Sequence, residues 1–323
     1  MTAQVTGDAP ATTFSELFNT IAANIEIVIQ GKPEVVELAL VCLLAEGHLL
    51  IEDVPGVGKT SLAKALAASI DSAWKRVQFT PDLLPSDVVG VTVWNRGRDV
   101  FEFRPGPVFA NIVLGDEINR ASPKTQSALL EAMEERQVTV DGVTYPLARP
   151  FMVMATQNPI EHEGTYPLPE SQLDRFLMRL SVGYPSRQSE LEILDTHGSG
   201  GTMSDVHPVA TSAQIQELVN SVKAVHVAPA LKHYLVDVAD ATRRHPNVAL
   251  GMSPRATLAL QRAARARSAA AGRTYAIPDD IKALADPVLS HRIVLSSDAQ
   301  LQGISASKVV ADVLSAVPVP TGR

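Results

Sequence analysis

Apolar residues fall at Phe14, Leu17, Phe18, Ile21, Ile25 and Val28. That spacing paints one face of a helix over Phe14–Ile29. Gly31 and Pro33 punctuate it, and Pro33–Ala45 reads as a second helix. The pattern then switches. His48–Glu52, Arg76–Phe79, Ile112–Leu114, Phe151–Ala155 and Leu177–Val182 are short apolar runs that read as strands, and Thr60–Ile70 and Pro123–Arg136 are helical segments between them. Alternating strands and helices predict an α/β fold: a parallel five-stranded sheet with helices on both faces. Two hairpins interrupt the alternation. Val138–Val140 and Val143–Leu147 flank Asp141-Gly142, a type I′ turn signal. Val88–Val93 and Val100–Phe103 flank a looser connection containing Gly97. After Tyr184-Pro185-Ser186 only helical periods remain, over Gln188–Thr196, Ala213–Lys223, Pro229–Arg243, Pro254–Ala271 and Pro278–Leu289. The expected organisation is a tail over 1–13, an α/β core over 14–185 and a small all-helical domain over 186–323, with no internal repeat.

Composition narrows the function classes. The 323 residues are 46% hydrophobic and 20% charged, enough for a packed core. The net charge of −7 argues against a sequence-independent nucleic-acid binder, which needs a basic footprint. One cysteine, Cys42, sits in an apolar run, which excludes a disulfide framework within the chain. The histidines have no ligand spacing, so no His or Cys metal site is expected. Met1–Thr13 lacks the basic start and apolar stretch of a signal peptide, and no run of about 18 apolar residues predicts a membrane span. The expected location is the cytoplasm.

The chemistry begins at Asp53-Val-Pro-Gly-Val-Gly-Lys-Thr60, between a strand and a helix. The phosphate-loop pattern G-x-x-x-x-G-K-[ST] is met at Gly58, Lys59 and Thr60, with Asp53 where the first glycine is expected. The loop from Pro55, with the backbone N–H groups of Gly56, Val57, Gly58 and on to Ser61, would cradle phosphate oxygens at the helix N-terminus. Lys59 would reach the terminal phosphates of ATP, and the Thr60 hydroxyl would join Mg²⁺. Downstream, an apolar strand ends in Asp116-Glu117. After a phosphate loop, that pair supplies a Mg²⁺-holding carboxylate, Asp116, and a general base for water, Glu117. Asn158 ends a neighbouring strand, where its amide would orient that water.

More than a generic phosphate loop matches. The run Leu114 to Met133, Phe79-Thr-Pro-Asp-Leu-Leu-Pro-Ser-Asp87, Ala155-Thr-Gln-Asn158-Pro and Leu173-Asp-Arg175-Phe176 together resemble the MoxR family of AAA+ ATPases, over roughly residues 25–290. The resemblance implies an AAA+ core followed by a helical lid, with both hairpins at family positions. It also implies a homo-oligomeric, hexameric ring with ATP at subunit interfaces. Chaperone-like remodelling or maturation of protein clients follows from it, extending to metal or cofactor insertion, with a separate von Willebrand factor A-type partner. By position, Asn158 resembles sensor 1, Arg175 the arginine finger and Arg255 sensor 2, reporting the γ-phosphate of its own subunit. Arg120 is a second candidate for action on a neighbour. Gln78 resembles a residue coupling Glu117 to client binding, and the backbone at Ile29–Gly31 is placed by resemblance at the adenine. Ser253 as N-cap and Pro254 at the first helical position put Arg255 where the helix dipole disfavours a cation, a sign that a nearby phosphate reverses. Two alternatives share the core: a magnesium-chelatase-like motor subunit and a nucleic-acid motor or loader. A nucleotide-dependent scaffold is a third, opposed by the intact Glu117.

Overall fold

The computed structural model describes residues 13–54, 56–158, 165–184, 187, 188, 190, 191 and 203–320. A five-stranded parallel sheet carries the core, in spatial order β2 (Trp74–Gln78), β5 (Ile112–Asp116), β8 (Met152–Gln157), β1 (Leu49–Glu52) and β9 (Met178–Leu180). Its inner strands β5, β8 and β1 are apolar on both faces, as a sheet covered twice requires. Leu49, Ile51, Ile112, Leu114, Met152 and Met154 point into one core with α1 (Phe14–Glu26), α2 (Pro33–Leu44) and α3 (Lys59–Ser69). Leu50, Val113, Val153 and Ala155 point into the other, under α4 (Pro85–Val89) and α5 (Pro123–Glu135).

Helix α1 starts on a capping box in which Thr13 accepts from the Glu16 N–H and Glu16 answers to the Thr13 N–H. Helix α2 is apolar almost all round because it is sandwiched between the sheet side and the lid; Cys42 is fully buried there, and burial pushes its thiol pKa up. His48, just before β1, is also buried. Its Nε2–H donates to the Met133 carbonyl and its Nδ1 accepts from the Val153 N–H, both at 3.0 Å. Burial pulls its pKa down to about 4, so it bridges α5 to β8 as a neutral ring.

The two hairpins are β3 (Gly90–Asn95) with β4 (Val100–Pro105), and β6 (Gln137–Val140) with β7 (Val143–Pro146). Asp141 and Gly142 both take positive φ, 51° and 78°, as a type I′ turn demands. The first hairpin departs from expectation at its start. Val88 and Val89 belong to α4, where Pro85 opens the helix and the Asp87 carboxylate accepts from the Leu84 N–H, so the strand begins at Gly90. The hairpins touch through Phe103 and Tyr145, stacked at 4.0 Å between centroids and 16° between planes.

One-turn α6 (Glu170–Leu173) leads into β9. The helix expected over Gln188–Thr196 lies largely outside the described residues. The lid that follows comprises α7 (Ser212–Ala224), α8 (Pro229–Arg244), α9 (Pro254–Ala270), α10 (Pro278–Leu289), α11 (Ser297–Leu301) and α12 (Ala306–Ala316). Its β10 (Val248–Leu250) and β11 (Val294–Leu295) form a short antiparallel pair. The lid packs into the same core as α1 to α3.

Candidate functional site

Parallel strands bring their C-terminal ends to one edge of the sheet, and the motif residues lie there. Gly56, Gly58, Lys59, Thr60, Ser61, Asp116, Glu117 and Asn158 line a single cleft of about 380 Å³, together with Arg76 and Gln78. Pro55 lies outside the described residues. Gly56 and Gly58 hold φ of +87° and +92°, so the loop itself requires glycine at both. Gly58 is the N-cap of α3, whose free N–H groups open into the cleft. Val57 packs partly against the core, and Ile29 lies 3.9 Å from where a Gly58 Cβ would stand. Lys59 folds back, its Nζ donating to the Asp53 carbonyl at 2.9 Å.

Asp53 explains the departure from the phosphate-loop pattern. Its carboxylate accepts from the Gly183 N–H at 2.6 Å, the Ser181 hydroxyl at 3.0 Å and the Val54 N–H at 2.9 Å, fastening the end of β1 to the chain after β9. Burial pushes this carboxyl pKa up, but those hydrogen bonds outweigh it and hold it below the ordinary value. Restoring the glycine of the pattern is therefore expected to harm the protein. Asp53→Gly should cost about 2 kcal/mol, the scale of charge-assisted hydrogen bonds lost with their buried partners. Denaturant titration would measure this; an unchanged midpoint would show that the fastening contributes nothing.

The acidic pair is held by neighbouring strands. Asp116 ends β5, where Gln78 and Asp116 are register partners. Its Oδ1 accepts from the Thr156 hydroxyl at 2.6 Å and its Oδ2 from Arg76. Glu117 sits in the left-handed region, φ 56°, steadied by its N–H donating to Thr156 Oγ1 at 3.0 Å. Glu117 Oε2 accepts from Gln78 at 2.7 Å and Arg120 at 3.0 Å. Both donors occupy the same carboxylate oxygen. No group of three or more His, Cys, Asp or Glu suited to a metal occurs among the described residues. One carboxylate and one hydroxyl, Asp116 and Thr60, face the same cleft. They form a hard oxygen set that fits Mg²⁺ completed by substrate phosphates.

The candidate arginines lie elsewhere. Arg175 precedes β9 and so stands at the opposite, N-terminal edge of the sheet. With strands of three to six residues, about 10–20 Å of sheet separates the edges. Arg175 donates to the Leu130 carbonyl at 2.8 Å and pairs with Glu134 at 2.7 Å. Arg255 opens α9 and lies beside it, 3.1 Å from Glu134 and 3.7 Å from Asp174. The two line one cavity of about 130 Å³ with Glu134 and Asp174. The packing of the lid on α1 to α3 seats the start of α9 at the Arg175 edge, in a cavity separate from the phosphate-loop cleft where the resemblance places sensor 2. Arg120 remains at the phosphate edge, on Glu117.

Residues 48–178 match the ATPase family associated with various cellular activities (AAA), and residues 240–313 match an AAA lid domain. The chain is 44% identical to the chaperone MoxR1 of Mycobacterium tuberculosis, covering 92% of this chain and 81% of that protein. It belongs to the MoxR family of AAA+ ATPases. Protein MoxR of Paracoccus denitrificans is 31% identical over 94% of this chain and 96% of its own length. The uncharacterized protein YeaC of Bacillus subtilis is 52% identical over 95% of this chain and 96% of its own. The crystal structure of a candidate ATPase from Cytophaga hutchinsonii superposes with a TM-score of 0.89 at 37% identity, covering 95% of this chain and 96% of that one.

Two residues of this MoxR-family site escaped the sequence reading. Arg76 lies two positions before Gln78, on the same face of β2, and the pairing of β2 with β5 brings it to Asp116. Its signal was the period-2 alternation of a strand called too short. Thr156 touches both members of the acidic pair, and its only signal was its place beside Gln157-Asn158 at the end of β8.

Proposed function

We propose that this protein hydrolyses ATP at interfaces between its own subunits and uses the cycle to remodel or mature protein clients. The observation carrying the reading is the split of the machinery. The phosphate loop, Asp116, Glu117 and Asn158 share one edge, whereas Arg175 and Arg255 line a separate cavity at the other. A ring closes that gap by laying the arginine edge of one subunit against the phosphate edge of the next.

Lys59 and the N–H groups from Gly56 to Ser61 bind the triphosphate, which draws Lys59 off the Asp53 carbonyl. Thr60 and Asp116 would hold Mg²⁺, which would supply neutralisation of phosphate charge, and the Asp116 oxygen that Arg76 covers would have to be given up for it. Glu117 takes the proton of a water that Asn158 orients, once Gln78 and Arg120 release its Oε2. The neighbour's Arg175 and Arg255 let go of Glu134 and meet the charge that builds on the transferred phosphoryl group. The hairpins are the client-facing parts. The ring is hexameric, the partner is a separate von Willebrand A-type protein, and metal or cofactor insertion is among its uses. The core runs over 14–185 and the lid over 186–323, in the cytoplasm. No helix among the described residues is long and apolar enough to cross a membrane.

Glu117→Gln, loaded with ATP and used as bait in a lysate of the native cell, tests this. The variant is expected to retain ATP, lose about 10²–10⁴-fold in turnover, and hold a von Willebrand A-type protein or an immature metalloenzyme. Recovery of a tetrapyrrole-synthesis subunit would favour the chelatase-like motor. Recovery of nucleic acid with replication proteins would favour the loader and refute the chaperone reading.

A further inference from the structure

Three consecutive lid residues grip the turn that carries Arg175. The Ser290 hydroxyl accepts from Arg179 at 3.2 Å, and His291 Nε2 lies 3.1 Å from the Phe176 carbonyl. Arg292, its side chain 3% exposed, does most. Its Nε donates to Asp174 Oδ1 at 2.7 Å, and its Nη2 to the carbonyls of Asp174 at 3.2 Å and Phe176 at 2.6 Å. Its Nη1 donates to the Leu177 carbonyl at 3.0 Å and to that of Val288 near the end of α10. One guanidinium thus gathers the backbone on both sides of Arg175. The turn needs such an anchor, since α6 before it is a single helical turn that cannot hold itself.

We propose that Arg292 is the positioning residue for Arg175, through which the lid sets how one subunit presents its arginine to the nucleotide of the next. This rests on the reading of Arg175 as acting on a neighbouring subunit. Arg292 does not touch Arg175. It fixes the main chain from which Arg175 projects, and its partner Asp174 also faces Arg255, which shares Glu134 with Arg175. The relay Arg292, Asp174, Arg255, Glu134, Arg175 joins lid and core by alternating charges. A lid rotation that shifts Arg292 shifts the turn with it. Lysine cannot substitute, because a point charge with three donors does not span carbonyls on both sides of the turn as a planar fork does.

Arg292→Lys keeps the buried charge and loses the fork. With the assembled protein, it is expected to lower kcat about ten- to a hundred-fold, the scale of a misplacement near 1 Å, and to leave KM for ATP within about two-fold. Its defect should lie in what it offers its neighbour, not in its own phosphate site. Mixing it with Glu117→Gln subunits, inactive but carrying an intact Arg175 edge, is therefore expected to restore turnover. Arg175→Ala mixed in the same way is the control. Should Arg292→Lys fail to fold, Asp174→Asn, which keeps the turn's carbonyls and loosens the charge pair, is read identically. Full kcat in the variant overturns the proposal. Restoration with Arg175→Ala but not with the Arg292 or Asp174 variant also overturns it, showing a merely structural clamp. No restoration with Arg175→Ala removes the in-trans reading and the proposal with it.

Discussion

Arg175→Ala is expected to bind ATP about as well as the parent chain and to hydrolyse it about 10³-fold more slowly, the lower end of what an arginine finger contributes. That is about 4 kcal/mol of transition-state stabilisation. The stability of the subunit should hardly change. Arg175 pairs with Glu134 in a partly exposed geometry, the two side chains 29% and 36% exposed, and such pairs contribute about 0–1 kcal/mol. The two effects are well separated, so the experiment is clean: steady-state phosphate release, with nucleotide affinity and oligomer size measured on the same preparation. Loss of nucleotide binding, with turnover of the bound fraction intact, would place Arg175 in its own subunit's site and contradict the sheet geometry.

The second large effect is expected in the lid. Asp280 is fully buried at the start of α10. Arg273 donates to both of its oxygens, at 2.8 and 2.6 Å, Ser268 at 2.6 Å, the Ile277 N–H at 2.9 Å and Arg267 at 3.3 Å. Removing the carboxylate takes from Arg273 and Arg267 their buried partner, and breaking one side of a buried pair costs about 3–5 kcal/mol. Asp280→Ala should lower the lid's melting transition by about 10 °C. Burial pushes the Asp280 pKa up, but the Arg273 and Ser268 hydrogen bonds outweigh it and hold it below the ordinary carboxylate value. A depressed folded pKa stabilises above the unfolded value and loses that contribution as pH falls through the folded one. The parent lid is therefore expected to lose stability below about pH 4, and the variant to lack that component. Melting curves across pH check both; equal acid slopes in the two proteins would refute the assignment.

The site was legible where chemistry is local. Gly58-Lys59-Thr60 needs only its own backbone to become a phosphate cradle, and Asp116-Glu117 needs only the end of an apolar strand. Strand order then brings Asn158 beside them through the pairing of β5 with β8. What stayed hidden depends on distant packing. No spacing shows that α9 delivers Arg255 to the Arg175 edge, because that follows from how the lid sits on α1 to α3. The role of Asp53 was invisible for the same reason, its partners Ser181 and Gly183 lying far along the chain. Val88 and Val89 misled because β-branched residues read as strand until Pro85 and Asp87 are seen to start a helix there. The helix Ala306–Ala316 and the β10–β11 pair went unread because their apolar runs are short.

The stack of Phe103 on Tyr145 sets how tightly the two hairpins are geared. An aromatic pair contributes about 0.5–1.5 kcal/mol beyond its buried area. That is about one to two and a half times thermal energy, a roughly two- to twelve-fold preference for moving together. The hairpins therefore behave as a slipping clutch and not as one rigid lever. Under the proposed client-facing role, a yielding load would be carried by both, and a load that resists would let them part at modest cost, before the sheet behind the phosphate loop is strained.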